Sequence, residues 1–156
     1  MARTTSAARK PRARRAQSPA RAIVVHSLDH AVAALREAAK RRVAVELWSA
    51  EGAAAYGGAG WFKALADEAR AEVRGARATF VLDCASLPGY ALAAFRARVD
   101  GVCFTGPARV AGKLADIARR SKCRLLRKRP ARALDLRAVE DPGAACRLWL
   151  ARTRGR

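Results

Sequence analysis

Apolar residues along this chain come in short β-branched runs, separated by stretches where they recur at every third or fourth position. Ala22-Ile23-Val24-Val25-His26 is the first run. It is too brief for a helix and rich in branched side chains, which predicts a buried strand. Ser27 follows as a helix N-cap, with Asp29 in the first turn, where the helix dipole favours an acid. Val32, Leu35 and Ala39 then share one helical face, and Arg36, Lys40 and Arg41 fall off it. Val43-Ala44-Val45-Glu46-Leu47-Trp48 predicts a second strand. An Ala/Gly/Ser segment from Ser49 to Gly60 leads into a helix beginning near Trp61, with Phe62, Leu65, Ala66, Ala69 and Val73 inward and Gly75 ending it. A third strand runs from about Ala78 to Asp83, followed by a helix placing Leu92, Phe95 and Val99 at helical spacing. Val102-Cys103-Phe104-Thr105 predicts the fourth strand, and Gly106-Pro107 opens a helix with Val110, Leu114 and Ile117 inward. Cys123-Arg124-Leu125-Leu126 predicts a weaker fifth strand.

Strands alternating with helices through short turns imply an α/β fold with a single open parallel five-stranded sheet and helices on both faces. Right-handed crossovers leave few topologies. A flavodoxin-like order, 2-1-3-4-5, is favoured, and half of a (β/α) barrel is the alternative. The domain is expected over residues 22–128. Residues 129–156 are expected as a basic tail with a short helix opened by Asp141-Pro142, which Leu148, Trp149 and Leu150 would dock on the domain.

Charge sharpens that division. The net charge is +19, of which residues 1–22 carry +7 and residues 119–156 carry +10, leaving only +2 on residues 23–118. The first 21 residues, with Pro11, Pro19 and scattered Arg, read as a disordered arm. Cations clustered at both ends could bind phosphate backbones without sequence preference, through Arg12, Arg14 and Arg15 in the arm and Arg127, Lys128 and Arg129 in the tail. A coding bias toward GC-rich codons would produce the same arginines as solvated tails. With Trp149 the only aromatic in those ends, base stacking is not indicated. No apolar run approaches the roughly 20 residues of a membrane span, and the start lacks the apolar centre of a secretory signal. Four cysteines in such a chain suggest reduced thiols and a cytoplasmic location.

Parallel sheets bind ligands beyond the carboxyl ends of their strands. The residues expected there are His26 and Ser27, Glu46 and Ser49, Asp83 and Ser86, then Thr105 and Gly106. In the favoured order the first and third strands are neighbours, so Asp83 could orient His26 as a base; more often a strand-end Asp accepts hydrogen bonds from the next turn's amides. Glu46, between Val45 and Leu47, requires an edge strand or a wet strand end. Gly57-Gly58-Ala59-Gly60 precedes a helix and is weighed as a phosphate cradle, yet it matches neither a dinucleotide fingerprint nor a P-loop, so a lid or plain loop competes. Cys84, Cys103, Cys123 and Cys146 lie about twenty residues apart with no CxxC pair, which gives no metal site. Cys84 alone stands near a helix start.

The strings Ser49-Ala50-Glu51-Gly52-Ala53-Ala54-Ala55-Tyr56, Gly60-Trp61-Phe62-Lys63-Ala64-Leu65, Leu82-Asp83-Cys84 and Gly89-Tyr90-Ala91-Leu92-Ala93-Ala94 resemble those of a family of small uncharacterised bacterial α/β proteins. The resemblance spans roughly residues 22–126. It implies a bacterial cytosolic protein and brings no chemistry with it. The functional expectation is therefore a domain, leaning away from an enzyme and needing no cofactor. It would bind a small anionic ligand at the carboxyl edge through His26, Ser27, Gly58, Gly60, Asp83, Ser86, Thr105 and Gly106. The alternative is a nucleic-acid-associated protein working through its two basic ends.

Overall fold

The first apolar run forms β1, Arg21–Val24, in a computed structural model that describes residues 21–152. Ser27 then caps α1, Leu28–Arg41, its hydroxyl accepting from the His30 amide at 3.2 Å. The remaining elements are β2, Ala44–Trp48; a single 3₁₀ turn, Ala53–Ala55; α2, Gly58–Glu72; β3, Arg77–Asp83; α3, Pro88–Arg96; β4, Gly101–Cys103; α4, Ala108–Arg120; β5, Arg124–Leu126; β6, Leu134–Asp135; and α5, Pro142–Arg152. The arm and the last four residues lie outside the described residues.

All the strands pair in parallel in one open sheet ordered β5-β4-β3-β2-β1-β6. Two expectations are corrected here. The sheet has six strands rather than five, and β1 lies between β2 and β6, so the 2-1-3-4-5 order is not found. From β1 to β5 each strand sits beside its predecessor, as in the half-barrel alternative; β6 departs from that pattern by returning beside β1. A right-handed chain that always steps in one direction lays every crossover helix on the same side. The core shows that consequence. Ile23, Val25, Val45, Leu47, Phe80, Leu82, Val102 and Phe104 face one large apolar cluster that includes side chains from all five helices. Ala22, Val24, Trp48, Val81 and Cys103 form a second cluster to which no described helix contributes. The expectation of helices on both faces is thereby corrected.

The helix-free face is closed by polar means. Glu46 lies on β2, an interior strand, not on the edge its charge suggested. Glu46 is 9% exposed, and its carboxylate pairs at 2.8 Å with Arg124 of β5, across two intervening strands. The Trp48 indole donates to its other oxygen at 3.3 Å. Gly101, which pairs with both Val81 and Arg124, leaves room for that long reach: a Cβ there would stand 3.2 Å from Val81 Cγ2. Beyond β5 the chain recrosses toward β6 and lays Arg129 over the Trp48 ring, 5.4 Å from its centroid.

Residues 134–152, expected as tail, supply β6 and α5. Leu136, Cys146 and Leu150 are buried in the main cluster, and α5 packs on α1. Asp141 accepts from the Ala144 amide at 2.9 Å, so the expected start of this helix is where α5 begins. Leu148 faces solvent.

Three helices end identically. Arg42, Arg98 and Lys122 have φ of 54°, 58° and 55°, the left-handed conformation. In each case the following amide reaches back to the carbonyl five residues earlier: Val43 to Ala38, Val99 to Ala94 and Cys123 to Ala118. This is the Schellman ending, whose left-handed position normally takes glycine. A side chain there costs roughly 1–2 kcal/mol, more than the 0.3–1 kcal/mol a cation gains at a helix C-terminus.

Candidate functional site

At the carboxyl edge the sequence-expected residues separate into two groups. Asp83, at the end of β3, is 1% exposed and fully engaged by its own chain. One carboxylate oxygen accepts from the Gly52 and Ala85 amides at 3.1 and 2.9 Å; the other accepts from Arg129 at 2.6 Å. The Asp83 amide donates to the Ser49 hydroxyl, and Arg129 also donates to the Ser49 carbonyl. Arg129 thus occupies the place where the sequence put a ligand. Arg127 is engaged in the same way, donating to the Gly106 carbonyl at 2.5 Å and lying 5.7 Å from the Phe104 ring centroid. Of the tail cations singled out in the sequence, only Lys128 has no recorded partner among the described residues. Arg12, Arg14 and Arg15 lie outside them.

Ser86 and Thr105 are exposed near the ends of β3 and β4, away from β1. Gly106 is held to glycine by packing, because a Cβ would collide with the Phe104 ring. The Gly-rich segment is an ordered turn and helix start: Gly52 and Gly58 have φ of 64° and 78°. At Gly57 a Cβ would meet Trp61 Cε3 at 2.8 Å, so the indole rests on bare backbone. Gly60 opens into free space in the first turn of α2.

The other group gathers around β1 and β6. His26 does not meet Asp83, because β2 separates β1 from β3. Its partner is Asp135 at the end of β6, with Nε2 and Oδ1 2.6 Å apart. The Arg137 amide donates to the same oxygen at 2.9 Å. The His26 amide donates to His30 Nδ1 at 3.2 Å, and the two rings meet edge-on at 6.0 Å. Because Nδ1 of His30 accepts, its ring proton belongs on Nε2. Burial, followed by the neighbouring His26 charge, holds the His30 imidazole below its usual range, against the opposing pull of Asp29 and Asp135. Burial alone would raise the Asp135 carboxyl; the bonds from the Arg137 amide and His26, with the charges of both residues, hold it below the usual range.

Beside this pair lies a hollow of about 250 Å³. His26 and Arg137 supply its polar lining, Ala53 and Gly57 part of its wall, and Tyr56 and Trp61 its aromatic side. Tyr56 is 73% exposed and Trp61 44% exposed. The Tyr56 hydroxyl donates to the Glu51 carbonyl at 2.7 Å, which fixes the ring's direction. The Arg137 guanidinium has no ion pair among the described residues, although its charge acts on Asp135.

Asp135, Arg137, Tyr56 and Trp61 were missing from the sequence-derived site. The only hint was Leu134-Asp135-Leu136, an acid between two apolar residues, in a segment too short and too basic to signal a strand. The thiols offer no nucleophile. Burial pushes Cys84, Cys123 and Cys146 up to about 12, and Cys103 to about 11. Among the described residues no group of His, Cys, Asp and Glu could hold a metal ion, and no helix is long and apolar enough to cross a membrane. No family model and no curated protein matches the chain.

Proposed function

We propose that this protein is a binding module for a small anionic molecule with a flat apolar part, held at the carboxyl edge between Arg137, His26, Tyr56 and Trp61. One observation carries the reading: a guanidinium without an ion pair among the described residues, an imidazole and two exposed aromatic rings line the same hollow. Small-ligand sites combine apolar walls with a few convergent polar groups in this way. The volume suits a single ring bearing a carboxylate or phosphate. Arg137 supplies the charge and paired donors, and Trp61 supplies a face for stacking. Asp135 fixes His26 so that Nδ1, which has no recorded partner among the described residues, is left to face an acceptor or a donor. The expected anionic ligand is kept, and the residues contacting it are revised: His26 stays, while Asp83 is engaged by its own chain, Gly106 packs on the Phe104 ring, and Ser86 and Thr105 are not among the residues lining the hollow.

Trp61 fluorescence tests the reading directly. Titration with aromatic carboxylates and with nucleoside monophosphates is expected to quench an emission component that disappears in Trp61→Phe. Arg137→Ala is expected to weaken binding about tenfold or more, the loss of a charge-assisted hydrogen bond. Failure of every such compound to change the emission at millimolar concentration would sink the reading.

A further inference from the structure

The three strained helix endings lie together at the amino edge of the sheet, opposite the hollow. Helices α1, α2, α3 and α4 pack side by side in chain order. At 8–10 Å between neighbouring axes, Arg42 and Lys122 lie on the order of 30 Å apart. Arg98 stands between them. All three side chains are exposed. Arg74, Arg96 and Arg120 join them, and no ion pair engages any of the six among the described residues. Four of the acids nearby are already used. Glu37 binds Lys40 and Arg41, Glu72 binds Arg36, Asp100 binds Arg70 and the Phe80 amide, and Asp116 binds Arg119. Between α3 and α4 the cations converge: Arg96, Arg98, Arg120 and Ser121 line one hollow of about 270 Å³ over Phe95 and Ile117.

We infer that this amino-edge face binds the phosphate backbone of double-stranded nucleic acid, with Arg96, Arg98 and Arg120 cradling phosphates and Arg42 and Lys122 extending the contact on either side. The identity of the residues at the left-handed positions points to a ligand. Glycine is the unstrained choice there, and its codons are as GC-rich as those of arginine, so codon bias does not select the cation. The row is comparable to one turn of duplex, about 34 Å. Among the described residues no aromatic side chain is exposed at this end for stacking on unpaired bases. A membrane fits poorly for the same reason. Of the exposed large apolar residues, Tyr56, Trp61, Leu87 and Tyr90 lie at helix starts on the carboxyl edge, and Leu148 lies midway along α5. The surface belongs to the folded domain; of the end cations singled out in the sequence, Arg127 and Arg129 are engaged at the carboxyl edge, and Arg12, Arg14 and Arg15 lie outside the described residues.

The test is fluorescence anisotropy of the full chain on a mixed-sequence duplex over a salt series. Combined Arg96→Gln, Arg98→Gln and Arg120→Gln is expected to weaken binding at least tenfold near physiological salt. It should also reduce the slope of log affinity against log salt by about 2 to 3, one contact per guanidinium lost. Combined Lys63→Gln, Arg109→Gln and Lys113→Gln removes the same charge elsewhere and is expected to stay within about twofold of the parent, a comparison of equal charge loss. Arg98→Gly separates binding from folding: its melting temperature should rise while its affinity falls. Parental affinity and slope in the first triple variant would overturn the inference, as would equal weakening in the second. So would preferential retention on phosphatidylserine vesicles over duplex, or binding of inorganic phosphate without duplex.

Discussion

Single residues in this protein are defined by the partner that the fold brings to them. Asp83 ends a buried strand, where the sequence offers either a partner for His26 or an acceptor for the next turn's amides; the Ala85 and Gly52 amides and Arg129 all bond to its carboxylate. Asp83→Ala would leave a guanidinium that is only 25% exposed without its counter-charge, and two amides without an acceptor. The expected loss is about 3 kcal/mol in urea unfolding, typical of breaking a buried pair from one side. His30 behaves oppositely to a salt-bridged histidine. Its folded pKa lies below the ordinary 6.5, so the unfolded chain binds the extra proton first as the pH drops. Stability contributed by the neutral ring is present above that value and is lost as pH falls through 6.5 toward the folded pKa. Protonation also removes the lone pair that accepts from the His26 amide. Urea midpoints between pH 8 and 5.5 should therefore fall on acidification in the parent and fall less in His30→Gln; an identical slope in both would contradict this assignment. The depressed Asp135 carboxyl acts in a separate window, losing its contribution only as pH drops through its lowered folded value.

At the scale of elements, the three Schellman endings show a local rule broken in a patterned way. Lys122 occupies a left-handed position after α4, and its amide still makes the capping bond to Arg119 at 3.2 Å. Lys122→Gly keeps that bond and removes the side-chain strain, so a gain of about 1 kcal/mol is expected in denaturant melts. No gain would mean that the lysine side chain repays its own strain within the fold. Element boundaries were otherwise well marked in the sequence. Ser27 and Asp141 signal two helix starts, and the short β-branched runs place four of the strands, because caps and periodicity are properties of neighbouring residues. β6 escaped detection for a physical reason: two residues bonded to β1 are too few to carry an alternation.

At the scale of the whole molecule, the return of the chain from β5 to β6 decides most of what is unusual. It places Arg129 on the carboxyl edge, ties His26 to Asp135 and brings α5 against α1. A chain cut after residue 128 would lose all three. The buried Leu136 and Leu150 alone are worth roughly 1.5–3 kcal/mol each. Truncation to residues 1–128 is therefore expected to abolish cooperative unfolding, measured by circular dichroism against the full chain. Retention of a sharp transition would show that β6 and α5 are accessories.

The sequence by itself determined the alternation of strands and helices, their parallel class and the uneven distribution of charge, because all of these follow from local pattern and composition. Strand order, the face on which the helices lie, and the pairing of His26 with Asp135, Glu46 with Arg124 and Asp83 with Arg129 were decided only in three dimensions. Each joins residues at least 46 positions apart. Local propensity carries no information about partners so distant; the direction in which the chain steps across its sheet decides them.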